Sequence, residues 1–154
     1  MNLSDFEKRF LDRFQKEVAA EFEIARNDYG ILTLNKTAPC VEIGALYVFV
    51  KPEEITISCK ITHTHSERCY LERMGSTDPE ADMITEAIGK VNDFINDRIV
   101  VSQTFAADGS LIGSAWSTQE QSGADSEYIK FMEQHYPAPI TTNKWTWSGP
   151  FKKN

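Results

Sequence analysis

The sequence predicts an α+β fold: an antiparallel sheet built from hairpins, with two main helices packed on one face. Two segments, around Phe6 to Phe22 and around Met83 to Ile95, carry apolar residues at helical spacing. Two turn signals, Lys51-Pro52-Glu53-Glu54 and Asp108-Gly109, each separate runs rich in β-branched and aromatic residues. A length of 154 residues suits one globular domain, 1–154, and a hydrophobic share of 41% is enough to give it a core. The expected order is α-β-β-β-α-β-β, then a short C-terminal helix and a terminal strand.

Ser4 to Glu7 has the form of a capping box, and behind it Phe6, Phe10, Phe14, Val18 and Phe22 recur every four residues. This predicts an amphipathic helix whose aromatic stripe packs on a sheet while its charged residues face water. From Glu23 to Asn35 the pattern turns to β, with Asn27-Asp28-Tyr29-Gly30 as a turn before Ile31-Leu32-Thr33-Leu34.

The clearest hairpin joins Leu46–Val50 to Ile55–Ile61. With Pro52 and Glu53 as its two turn residues, Val50, Val48 and Leu46 oppose Ile55, Ile57 and Cys59, and all six point to the core. The opposite side carries Tyr47 and Phe49 against Thr56, Ser58 and Lys60. That semi-polar surface with two aromatics invites a cover, either the chain's own C-terminus or a partner protein.

Asp78-Pro79 reads as an N-cap followed by proline at the first helical position, opening a second helix to about Asp97 through Ile84, Ile88, Val91 and Ile95. Ile99–Phe105 and Leu111–Trp116 form a further hairpin around Asp108-Gly109, a dipeptide suited to a type I′ turn, which would set Val101, Phe105, Ile112 and Trp116 on one face. Residues 118–126 read as a loop, and 126–136 as a short helix stopped by Pro137 and Pro139. In the tail, Trp145, Trp147 and Phe151 alternate with small or polar residues beside Lys144, Lys152 and Lys153. A terminal strand whose tryptophans close the core accounts for this; an exposed ligand-binding strip is the other option.

A formal charge of −7 disfavours nucleic acid and anionic membrane surfaces as partners and favours a basic protein. The N-terminal stretch contains no apolar run of the length a signal peptide or membrane span requires, and the three cysteines cannot all pair with one another. Both features lead to the expectation of a cytoplasmic protein with reduced thiols.

The only grouping of metal-ligand residue types is Cys59-Lys-Ile-Thr-His63-Thr-His65-Ser-Glu-Arg-Cys69. On an extended strand, residues 59, 63 and 65 point the same way, so His63 and His65 are the candidate metal ligands. Strand rise separates Cys59 from His63 by about 13 Å, however, which favours Cys59 as a small core residue. Cys40 with His135 is a thiol–imidazole combination that no motif supports, and neither a nucleophile elbow nor a phosphate-binding glycine loop occurs. Asp78, Glu80, Asp82 and Glu86 cluster at a helix start, as the helix dipole favours. No catalytic residue and no cofactor are therefore assigned.

The element order α-β-β-β-α-β-β with a short helix after it is similar to that of the small dimeric type III secretion chaperones. The likeness is one of element order alone, without a shared motif, and the Trp-rich tail departs from it. The expected function is a non-catalytic protein-binding module, of inhibitor, immunity or chaperone type, that recognises a basic or amphipathic partner. Its contact residues would be Tyr47, Phe49, Glu53, Glu54, Trp145 and Trp147. A homodimer through the exposed aromatics is also compatible. The alternative is a small-ligand binder or enzyme with a pocket between sheet and helices, metal-assisted through His63 and His65.

Overall fold

In the computed structural model, which describes residues 1–123 and 125–152, the strands fall into two antiparallel sheets rather than the one expected. Ala124 of the 118–126 loop and Lys153 of the basic tail lie outside the described residues. The chain divides into two units, Met1–Thr37, Ala45–Cys59 and His63–Asp93 in the first, Ala38–Gly44, Lys60–Thr62 and Phe94–Asn154 in the second.

The first unit begins with α1 (Asp5–Glu17), where the predicted capping box is formed. Glu7 N–H donates to Ser4 Oγ at 3.2 Å, and Ser4 N–H donates to the Glu7 carboxylate at 2.8 Å. The helix stops at Glu17, short of the period-four run that ends at Phe22. A spacing of four gains about 40° per step on a helix of 3.6 residues per turn, so Phe22 would sit about 160° from Phe6 if the helix continued. Instead Val18 turns extended, and the Phe22 ring meets Phe14 edge-on at 5.0 Å.

Five strands follow, β1 (Glu23–Arg26), β2 (Leu32–Thr37), β3 (Ala45–Val50), β4 (Glu54–Ser58) and β5 (His63–Glu67), each paired with its sequence neighbours. The β3–β4 register is the predicted one, with Val50 opposite Ile55 and Val48 opposite Ile57, closed by reciprocal backbone bonds between Lys51 and Glu54. One face buries Leu32, Leu34, Val48, Val50, Ile55 and Ile57. β5 is an addition to the expected order. Its inward residues are Thr64 and Ser66, so no apolar alternation marks it, and the backbone ladder to β4 holds it in place.

After α2 (Arg68–Arg73), α3 (Pro79–Ile95) starts where predicted, Asp78 Oδ1 accepting from Ala81 N–H at 3.1 Å. Arg13 of α1 reaches Thr85 Oγ1 of α3 at 2.8 Å, and Lys90 of α3 donates to the β5 backbone and to Ser66 Oγ. The buried side chains of these helices, Phe6, Phe10 and Phe14 on α1 and Met83, Ile84, Ala87, Ile88 and Val91 on α3, carry the predicted stripes.

The second unit contains β6 (Ile99–Phe105), β7 (Leu111–Thr118), α4 (Asp125–Met132), β8 (Thr141–Thr146) and β9 (Gly149–Pro150), in the sheet order β7-β6-β8-β9. Val101 pairs with Trp116 as predicted, but a bulge between Thr104 and Phe105 sets Leu111, not Ile112, opposite Phe105. Ile112 instead packs with Ile129 against Ala106, Met132 and Ile140. The turn is also not type I′. Gly109 has φ +82° while Asp108 stays out of the positive region, and Ala106 exchanges backbone bonds with Gly109 and Ser110, the pattern of a three-residue loop with a left-handed glycine. No helix among the described residues is long and apolar enough to cross a membrane.

Asp97 is the one non-glycine residue at positive φ (60°) among the described residues, and it earns that conformation through its carboxylate. Ser148 donates to it twice, from N–H at 2.8 Å and from Oγ at 2.6 Å, pinning the turn between β8 and β9. Partial burial alone would raise this carboxyl's pKa, but the hydrogen bonds from Ser148 and Thr146 outweigh burial and hold it below the ordinary aspartate value. The folded state thus gains from ionised Asp97 above the unfolded pKa and loses that gain as pH falls through the folded one. Asp97→Asn is expected to cost about 1 to 2 kcal/mol at neutral pH and less in acid, read from urea unfolding at both. An equal cost at the two would show that the charge contributes nothing.

Candidate functional site

The exposed face of the five-stranded sheet follows from strand alternation. Register sets Thr33, Phe49, Thr56 and His65 in one cross-strand row and Asn35, Tyr47, Ser58 and His63 in the next. Tyr47 and Phe49 stack nearly parallel, centroids 5.9 Å apart and planes 12° apart, and Tyr47 is 41% exposed. Two strands away, the His63 and His65 rings meet edge to face at 4.8 Å.

Glu54 ties His65 to the hairpin end of this face. Its Oε1 lies 3.2 Å from His65 Nδ1 and 3.5 Å from Lys51 Nζ, and it accepts from Thr56 Oγ1. The Thr56 hydrogen bond, with Lys51 and His65 nearby, lowers the Glu54 pKa against the opposing effect of burial, so this carboxylate is ionised near neutrality. Glu67 stands opposite Glu54 on β5, and Glu53 is exposed at the hairpin tip.

Thr56, His65 and Glu54 have the residue types of a nucleophile, a base and an orienting acid, but not their geometry. Thr56 Oγ1, at 3.3 Å, and Glu54 Oε1 both approach the same ring nitrogen, Nδ1, whereas a relay needs the acid on one nitrogen and the nucleophile on the other. The arrangement is a hydrogen-bonded rim.

The other predicted residues are dispersed. Cys59 is buried, Cys69 is exposed on α2, and among the described residues no three His, Cys, Asp or Glu side chains are placed to hold a metal ion together. Cys40 is buried and its thiol pKa is pushed up chiefly by that burial, the reverse of what a nucleophile needs. Trp147 is buried, its ring 5.6 Å from Phe94, so it lies in a core and presents no surface to a partner. Trp145 is half-buried on β8 opposite Val101.

Thr56 and the Glu54–His65 pairing escaped sequence reasoning because they depend on the β4–β5 register. The available signal was the alternation of His63, His65 and Glu67 at a spacing of two. A second concavity, in the second unit, is lined by hydroxyl residues of β6, β7 and β8 that no motif marks.

Fold and site together define an α+β protein with two antiparallel sheets and an open aromatic face rimmed by carboxylates. In comparison with known proteins, the chain matches no family model, and no curated protein or solved structure is significantly similar to it.

Proposed function

We propose that this chain is a non-catalytic, cytoplasmic protein-binding module that takes a basic segment of a partner on the outer face of the first unit's sheet. The stacked, part-exposed Tyr47–Phe49 pair, on the same sheet face as Glu54 and Glu67, carries this reading. An arginine guanidinium stacks on an aromatic plane while forking to a carboxylate, and the face offers both groups. The charge of −7 adds long-range attraction for a basic protein of the kind that an immunity protein or chaperone holds. On this surface Tyr47 and Phe49 supply contact area and Glu53 and Glu54 supply charge.

The test begins with a partner co-purified from the native host, whose affinity is then measured at about 50 mM and about 500 mM salt. We expect affinity to fall at least about tenfold across that range, and Tyr47→Ala to cost roughly another tenfold. Affinity indifferent to both salt and Tyr47 would overturn the reading.

His63 and His65 do not favour the enzyme alternative, because His63 is exposed and His65 half-exposed on a sheet face.

A further inference from the structure

A sheet that does not close on itself has two edge strands, and each presents a row of backbone N–H and C=O groups that no neighbour within the sheet uses. In the first unit these edges are β1 and β5. Arg68 N–H donates to the Glu53 carbonyl at 3.0 Å, so the bonded pairs that continue it are Ile55–Ser66 and Ile57–Thr64, and the backbone of His65 faces outward. Lys90 of α3 covers that edge by donating to the His65 carbonyl.

β1 has the same geometry without the cover. Asn27 N–H donates to the Ile31 carbonyl at 3.0 Å, which makes Ala25–Thr33 and Glu23–Asn35 the bonded pairs and turns the N–H and C=O of Ile24 and Arg26 away from β2. No side chain among the described residues caps these groups as Lys90 caps β5.

The Ile24 side chain, paired with buried Leu34, faces the helix side of the sheet, and there it lines a groove of about 540 Å³ where α1 ends. Buried Phe14, Val18 and Leu34 with half-buried Phe22 and Ile24 make that lining mostly apolar. A strand added along β1 would alternate, one side chain entering the groove and the next lying on the outer face.

Charge fixes what the outward positions must carry. The outer-face residues of β1 and β2 are Glu23, Ala25, Thr33, Asn35 and Thr37, of which Glu23 alone is ionised, and it is exposed. On the helix side, Arg26 is committed to Glu7, and Lys36 donates to the Glu21 carbonyl at 3.1 Å. A cation directly opposite Glu23 makes a favourable cross-strand pair, and a carboxylate there a repulsive one.

We propose that β1 takes up, antiparallel, an extended segment of a partner protein in which an apolar residue lies opposite Ile24 and a lysine or arginine follows it opposite Glu23. A second copy of this chain is the poorer guest. With Ile24 against Ile24, Glu23 meets Ala25, and the neighbouring bonded registers set Glu23 against Glu23 or Asn27, never against a cation. The edge is a different surface from the aromatic outer face, and its occupation is read on different amides.

The test is a titration of the isotopically labelled full chain with acetyl-Lys-Val-Lys-Val-Lys-Val-Lys-amide, and with the same peptide carrying glutamate for every lysine. Saturable amide shifts at Val18 and from Phe22 to Arg26 with the lysine peptide, and slower hydrogen exchange at the Ile24 and Arg26 amides, are expected. The glutamate peptide should bind at least about tenfold more weakly. Ile24→Pro removes an N–H that the β1–β2 ladder does not use, and should weaken the lysine peptide at least about tenfold. Glu23→Lys, at an exposed position, should weaken it by a similar factor and favour the glutamate peptide. If Ile24→Pro fails to fold, Glu23→Lys and the exchange at Ile24 still decide. No saturable shift at about 2 mM peptide, shifts confined to the surroundings of Tyr47 and Phe49, unchanged exchange at Ile24, or equal binding of the two peptides would overturn the proposal. Protection of the Ile24 amide that rises with protein concentration in the absence of peptide would overturn it as well, by assigning the edge to a second copy.

Discussion

Phe94→Ala is expected to lower stability by about 3 to 5 kcal/mol. Phe94 is fully buried, and its ring lies 4.6 Å from Trp116 and 5.6 Å from Trp147. Truncation removes the transfer energy of the ring and leaves a cavity that the neighbours are poorly placed to fill. Trp116 is fixed by its register opposite Val101. Trp147 is held on both sides: its carbonyl accepts from Cys40 N–H at 3.3 Å, and Asp97 grips the next residue, Ser148, at 2.8 Å. Urea unfolding followed by tryptophan emission measures the loss. A cost below about 1 kcal/mol would mean that the two indoles collapse into the space, contrary to this account.

Glu7→Gln is expected to cost about 2 kcal/mol at neutral pH, and the difference from wild type should shrink in acid. Glu7 is 7% exposed and receives both arms of the Arg26 guanidinium, at 2.8 and 2.9 Å, as well as the Ser4 N–H at 2.8 Å. The Arg26 hydrogen bond is the main reason its pKa falls from 4.5 to about 2, against the opposing effect of burial. A folded-state pKa below the unfolded one stabilises the fold fully above about 4.5, and that stabilisation disappears as pH falls towards about 2. The gap corresponds to about 3 kcal/mol at most, and exposure of the guanidinium reduces it. Denaturant midpoints of wild type and variant should therefore draw together between about pH 5 and about pH 3. A constant separation would assign the Glu7 effect to packing or helix capping instead.

The elements legible beforehand are those whose signals are local. Ser4 with Glu7 and Asp78 with Pro79 start the helices where expected, because a cap satisfies backbone groups within one turn. Pro52-Glu53 set the β3–β4 register because a two-residue turn leaves no slack. The outward placement of Tyr47 and Phe49 follows from that register. The sequence reads 59, 63 and 65 as one extended strand, whereas the chain reverses after Ser58 and His63–Glu67 returns antiparallel as β5; the reversal is hidden because residues 59–62 carry no turn signal and the inward residues of β5, Thr64 and Ser66, are polar. The bulge at Thr104 and Phe105 is not legible in the sequence, because Asp108-Gly109 suits two loop types that differ by one residue in register.

The site was legible to the same extent. Two aromatics on an outer strand face could be read directly, whereas the hold of Glu54 on His65 required knowing that Thr56 lies opposite His65. The hydroxyl cavity lay further out of reach. Ser102 and Thr104 are inconspicuous until Lys144 and Thr142, some forty positions on, are laid beside them.

Read as a string, this protein already specifies its helix starts, its tightest hairpin, its acidic charge and the inward or outward sense of the apolar residues in that hairpin, all consequences of chemistry acting over a few neighbouring residues. The division of nine strands between two sheets, among the described residues, and the union of β6 with β8 come from the folded chain. Backbone hydrogen bonds pair any two strands almost regardless of side chain, and the cost of closing a loop rises only slowly with its length. Which strands meet is therefore decided by how the apolar faces are buried together, a property of the whole chain.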